Sequence, residues 1–151
     1  MVPPAESPPY SGGMSDALLY LLLFVAWTAL LVCGIAAIRV MMVLKGERRP
    51  NEFPAHEPHG SPFYQRLQRA HLNCVENLPL FAAVVLVAEV GKLGTSAIGA
   101  FAGIYLAARV IQSTIHLSST HSLAVNARFA MFMVQLACLV LMIADILMSR
   151  T

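Results

Sequence analysis

Residues 17–38 run for 22 positions without a charged side chain, and this stretch constrains the fold more than any other. At about 1.5 Å per helical residue, such a run crosses the ~30 Å hydrocarbon layer of a bilayer. The helix is predicted over residues 16–44, with Ser15 or Asp16 as its N-cap and Gly46 and Pro50 ending it. Three further apolar segments follow, predicting helices over about 62–90, 97–117 and 125–148. Pro62 is a favoured first-turn residue and Gly91 ends the second helix. The expected architecture is therefore all-α: an integral membrane bundle of four helices forming one domain over residues 16–151.

Composition agrees with that reading. The chain is 58% hydrophobic and 12% charged, too little charge to cover a soluble domain of 151 residues. A net charge of +2 without a basic stripe argues against a nucleic-acid partner. Cys33, Cys74 and Cys138 fall in separate apolar segments, which excludes a disulfide framework or a zinc motif and reads as core packing. Residues 1–15 are rich in Pro, Ser and Gly and carry no Lys or Arg. They predict a disordered tail rather than a secretory signal, so the apolar run behind them is retained. The 45–62 segment, KGERRPNEFPAHEPHGSP, contains four prolines and is a loop. His56, Glu57 and His59 in it could contact a metal, but no further ligands stand nearby and no metal site is assigned.

Orientation follows from Lys and Arg. The first connection holds Lys45, Arg48 and Arg49, with Arg66 and Arg69 just beyond, whereas the second holds only Lys92. The first and third connections are expected on the cytoplasmic side and both termini on the other. Arg150 counts mildly against this. A bacterial inner membrane is the favoured compartment and the endoplasmic reticulum the alternative, since the chain ends in Ser149-Arg150-Thr151 without a retention tail.

Polar residues inside the spans are where chemistry is to be sought. Arg66, Arg69, Asn73 and Glu76 are spaced three, four and three apart, which at ~100° per residue puts them on one stripe of the second helix. They can grip a zwitterionic ligand, pair with a neighbouring helix, or lie solvated at headgroup level. Arg109 has apolar neighbours on both sides, and a mid-span Arg carries an insertion cost of about 2.5–3.5 kcal/mol. It needs a carboxylate or a wet cavity, and Glu76 is the expected internal partner. Gln112 or Ser113 and then His116 continue the Arg109 stripe. Gly99, Gly103 and Ala107 form a small-xxx-small row for close helix packing. On the fourth helix, Asn126 reads as an early cap, Gln135 shares a face with Arg128, and Glu89 and Asp145 read as interfacial. Arg128 in the first turn opposes the helix dipole, a conflict that a bound anion or thiolate would remove; a snorkelling anchor is the other reading.

The run RLQRAHLNCVENLPLF resembles the RAHxNxxExxPxF signature of the MAPEG family, membrane-associated proteins in eicosanoid and glutathione metabolism, through Arg69, Ala70, His71, Asn73, Glu76, Pro79 and Phe81. Length, four spans, the basic first loop and the Arg residues of helices three and four extend the resemblance over nearly the whole chain. It implies a homotrimer with glutathione as cosubstrate, bound between neighbouring subunits near the cytoplasmic face. Arg69, Asn73 and Glu76 would bind the tripeptide with help from Arg109, Arg49 would be a further anchor, and Arg128 would stabilise the glutathione thiolate. Pro79 should kink the second helix where its polar half meets its apolar half.

Compared with the family's prostaglandin E synthase, an Arg is replaced by Leu72, a His by Gln112, a Tyr by His116, a Ser by Phe129 and a further Tyr by Phe132. The hydroxyls that hold the thiol there are largely missing, which argues against prostaglandin isomerisation. His116 could substitute as a polar partner. The resemblance implies a glutathione-dependent transferase or peroxidase acting on lipophilic electrophiles that arrive from membrane lipid. A non-catalytic lipid-binding scaffold is the alternative, and a small transporter using Glu76 and Arg109 a third reading.

Overall fold

The computed structural model describes residues 13–54, 59–119 and 121–149. The expected tail over residues 1–15 thus lies, up to residue 12, outside the described residues, as do His56, Glu57 and Arg150. Four helices account for most of the rest: α1 Asp16–Leu44, α2 Pro62–Val90, α3 Ser96–Ser118 and α4 Ser122–Met148. Each is long and apolar enough to cross a membrane.

Local chemistry explains where three of them begin. Ser15, Ser61 and Thr95 each sit in extended backbone, and each hydroxyl accepts the N–H three residues on, from Leu18, Tyr64 and Ile98, at 3.2 Å. This satisfies one of the helix N–H groups that lack an intrahelical acceptor. α4 has no such side-chain bond: His121 occupies its N-cap position. It begins three residues before the expected 125, so Asn126 lies inside the helix rather than capping it. α2 continues through Pro79 as a single helix. The turn between α2 and α3 uses Lys92 at φ 53°, in the left-handed region that commonly ends a helix.

α3 is the centre of the bundle. It packs against α1, α2 and α4, whereas α1 and α4 do not touch and α2 meets α4 only thinly. Its apolar window is 39% buried against 22% for each of the others, so most of the other helices' aliphatic surface faces outward. Lipid makes that arrangement stable, because exposed Leu and Val lose nothing in a hydrocarbon solvent. The α1–α3 seam is close because of glycine: a Cβ on Gly99 would lie 3.3 Å from the Asp16 Cβ, and one on Gly103 would lie 3.1 Å from the Tyr20 ring. Ala107, the third member of that row, is exposed and takes no part in the contact. At mid-bundle Phe24, Phe81 and Tyr105 are all buried. Phe81 stacks on Tyr105 at 4.3 Å and meets Phe24 edge-on at 5.9 Å.

Glu89 and Asp145, expected to be merely interfacial, tie helices together at the α2–α3 loop end. The Ser15 hydroxyl donates to Glu89 Oε1, and the Thr95 hydroxyl donates to Asp145 Oδ2 at 2.5 Å. Two helix caps are thereby joined to the last turns of their neighbours. Charge divides between the two ends. Asp16, Glu89 and Asp145 stand with Lys92 at this one. Arg39, Lys45, Arg48, Arg49, Arg66, Arg69 and Arg128 outnumber Glu47, Glu52 and Glu76 toward the other.

Candidate functional site

Where α2 points its side chains decides what the signature can do. Ala70, Cys74, Phe81 and Val85 are buried and define the inward stripe. Glu76 lies two residues past Cys74, about 200° around the helix, and so faces away from the bundle. Arg69 is likewise exposed, while Arg66 and Asn73 sit on the half-buried flank toward α3. The expected single stripe is thus split into an outward pair, Arg69 and Glu76, and a pair directed at α3.

That split overturns the expected Arg109–Glu76 pairing. Arg109 is 1% exposed, and its Nη1 donates to Asn73 Oδ1 at 2.5 Å and to Gln112 Oε1 at 3.0 Å. Asn77, which sequence reading passed over, donates to both the carbonyl and side-chain oxygen of Asn73 at 2.8 and 3.2 Å and holds that amide in place. The guanidinium also lies over the rings of Phe24 and Tyr105, at 5.7 and 6.0 Å. Two amides and two aromatic faces therefore balance the charge, and a desolvated cation–π contact contributes about 2 kcal/mol. Nε and Nη2 of Arg109 have no hydrogen-bond partner. Beside this group, the buried Cys74 thiol lies 3.6 Å from the Ser113 hydroxyl.

Gln112 carries the network onward to α4. Its Oε1 also accepts from Gln135 Nε2 at 3.1 Å, and its Nε2 donates to the backbone carbonyl of Arg128 at 3.0 Å. Asn73, Arg109, Gln112, Gln135 and the Arg128 backbone thus form one polar seam through α2, α3 and α4.

Near the α1–α2 loop end, His116 is half-buried in the last turn of α3, and the charges of Arg128, Arg69 and Arg66 all act on it. Arg66 has a structural duty there, donating from Nε to the Leu117 carbonyl at 2.9 Å, which satisfies an acceptor at the C-terminus of α3. Arg69 and Arg128 have no comparable hydrogen bond from their side chains. Among the described residues, no carboxylate stands within ion-pair distance of Arg66, Arg69, Arg109 or Arg128. Guanidinium groups at one end of the bundle without carboxylate partners favour an anion beside them.

Other expected residues lie elsewhere. Arg49 is 83% exposed and contacts Glu52 at 4.0 Å, so it does not join the cluster within one chain. Arg39, also passed over, donates from Nε to the Tyr64 hydroxyl at 2.6 Å and stacks over Phe53 at 5.2 Å, tying the first loop to α1 and α2. The signal for it was available: Arg39 is the charge that ends the 17–38 run. His59 packs between Phe53 and Tyr64, with ring separations of 6.0 and 5.3 Å. Among the described residues no group of three His, Cys, Asp or Glu side chains could hold a metal.

An open groove of about 880 Å³ runs between α2 and α4, lined by Ala83, Val87, Ile143, Ile146 and Leu147 among other aliphatic side chains. It lies at the far end of the bundle. Leu147 is 19 residues beyond Arg128, about 28 Å along a helix. The groove has no polar chemistry and is not the candidate site.

Four helices, each long and apolar enough to cross a membrane, with guanidinium groups of α2 and α4 gathered toward one end, define the chain as a multi-span helical membrane protein. The chain belongs to the MAPEG family, whose family model matches residues 17–148. That family includes glutathione transferases and peroxidases as well as other members, and generally uses glutathione. No curated relative matches the chain.

Proposed function

We propose that this protein is a membrane-bound, glutathione-dependent transferase or peroxidase that acts on lipophilic electrophiles. One observation carries the reading: Arg66, Arg69 and Arg128, from two helices, lie within electrostatic reach of His116 of a third, and no carboxylate of the described residues pairs with them. Glutathione fits the donor set. It has two carboxylates for Arg69 and Arg66 or Arg128, an amine that Glu76 can accept, and a thiol whose ionised form a guanidinium favours. Arg69 and Glu76 are outward-facing, so the complete site requires a second copy of the chain, and a homotrimer with sites between subunits supplies it. Arg49 could enter such a site from a neighbouring subunit, and Asn73 and Arg109 would support it from within.

The residues have limited tasks. Arg69, Asn73 and Glu76 orient the tripeptide, Arg128 holds the sulfur as thiolate, and the surrounding apolar helices exclude water and admit electrophiles from lipid. Attack of the thiolate on an electrophilic carbon forms the C–S bond and expels the leaving group. With a hydroperoxide, the thiolate attacks the distal oxygen, an S–O bond forms as the O–O bond breaks, the alkoxide leaves and is protonated to the alcohol, and a second glutathione converts the resulting sulfenic acid to the disulfide with loss of water.

Calorimetric titration of glutathione into the detergent-purified protein tests the proposal. Arg69→Ala is expected to weaken binding at least about tenfold, equivalent to ~1.4 kcal/mol. Equal affinity in the two proteins rejects the site. A second reading, a lipid-binding scaffold without catalysis, draws on Phe129 and Phe132 beside Arg128, where the thiol would otherwise find hydroxyl partners. Phe129 is 64% exposed and offers only an apolar contact. Binding of glutathione without turnover of a chlorinated nitrobenzene, with lipid retained through purification, would favour that reading.

A further inference from the structure

The part of α4 that carries Arg128 is weakly fastened by ordinary means. Every fully buried residue of α4 lies in its later half: Gln135, Cys138, Met142 and Ile146. None of residues 122–134 is buried, and the helix has no side-chain cap at His121. Apolar packing and capping, the two usual anchors of a helix start, are therefore thin here. One side-chain hydrogen bond reaches residues 122–134 from another helix among the described residues. It is Gln112 Nε2 to the Arg128 carbonyl, at 3.0 Å.

Gln112 is itself fixed from both sides. Its Oε1 accepts from Arg109 Nη1 at 3.0 Å and from Gln135 Nε2 at 3.1 Å, and the residue is 6% exposed. Gln135 Nε2 also donates to the Met131 carbonyl at 2.9 Å, which ties it to the same stretch of α4. With two donors directed at its oxygen, the amide cannot flip without facing N–H toward N–H, so its own N–H must point at Arg128. The buried charge of Arg109 thereby sets the orientation of an amide that locates the α4 turn two helices away from Asn73.

We infer that Gln112 is a positioning residue: through its hydrogen bond to the Arg128 carbonyl it fixes where the Arg128 guanidinium stands relative to the bound sulfur. The inference rests on the glutathione reading for its consequence, but not for its geometry. Gln112 does not contact the sulfur in this role. It acts by holding the backbone from which Arg128 extends.

Gln112→Glu keeps the shape and the acceptor for Arg109 and Gln135, and replaces the donor to Arg128 with an oxygen that repels the carbonyl. Gln112→Met removes the amide without adding charge, and serves where the carboxylate variant folds poorly. Hydrogen exchange on the purified full-length protein is the first readout. Amides of residues 122–132 should exchange at least about tenfold faster in the variants, with residues 135–146 unchanged. Glutathione is the second. The pH at which thiolate absorbance of the bound tripeptide appears should rise by about one unit, and kcat should fall about tenfold with KM for glutathione within about threefold of wild type. Unchanged exchange in both variants overturns the inference whatever happens to activity. So does faster exchange with an unaltered thiolate titration in a protein that binds glutathione. A wild type that binds no glutathione removes the proposed function, and the exchange result still decides whether Gln112 fastens α4.

Discussion

At the scale of single residues, Arg109 shows how a cation is kept inside a membrane protein without a carboxylate. Its dependence on Asn73 gives a paired prediction. Asn73→Leu leaves Nη1 with Gln112 and the long 3.5 Å contact to the residue 73 carbonyl, and should destabilise the protein by about 2–3 kcal/mol, since a buried charge loses its shortest partner. Asn73→Asp places a carboxylate where the amide oxygen now accepts, and should retain or raise the thermal midpoint. Thermal unfolding of both variants in the same detergent tests this, and a wild-type midpoint for Asn73→Leu would refute it. The sequence made clear that Arg109 needed a partner and that α2 would provide it. It pointed to Glu76 where the structure uses Asn73, because both fit an i, i+3 stripe and only the carboxylate carries the opposite charge. The choice depends on which residues α2 buries, and Cys74 and Phe81 reveal that inward direction only once the neighbouring helices are in place.

At the scale of elements, the four spans were legible because each is an apolar run bounded by Ser, Thr, Gly or Pro, and hydrophobic length in lipid has few structural solutions. The start of α4 was less so. Asn126 offered a familiar cap residue, but the helix extends back to Ser122 without any side-chain cap. The small-residue row was legible as packing, though not which of its members pack. Gly103 faces the Tyr20 ring of α1, whereas Ala107 faces outward. Gly103→Leu should therefore force α1 and α3 apart and lower stability by about 1–3 kcal/mol, the range for overpacking a tight contact. Ala107→Leu should leave the thermal midpoint within about a degree or two of wild type, as an outward-facing aliphatic change does in lipid. Similar losses from the two substitutions would show that the seam is not where the glycine places it.

At the scale of the whole molecule, the proposed site asks for more than one chain. Glu76 is exposed on the outward face of α2 directly before the apolar half of that span, and Arg69 is exposed two turns earlier on the same face. A carboxylate presented to hydrocarbon costs about 2.5–3.5 kcal/mol on the insertion scale. The exposed apolar positions Leu72, Val75 and Leu80 flank it, and among the described residues no cation stands within ion-pair distance of it. A neighbouring copy covers this face at no such cost if it brings cationic or amide groups to Glu76, and the guanidinium-rich end of the bundle has them in excess. Self-association should then depend on Glu76 itself. Native mass spectrometry from a mild detergent should give an assembly of three 16.3 kDa chains for the wild type. For Glu76→Leu, which removes the carboxylate but keeps the face apolar, a larger monomer fraction is expected and glutathione binding should weaken with it. A wild-type monomer that still binds glutathione would place the complete site within one chain, and the outward direction of Glu76 would then need another explanation. A trimer indifferent to Glu76→Leu would assign assembly to the aliphatic surfaces alone and leave the carboxylate free to serve only the guest.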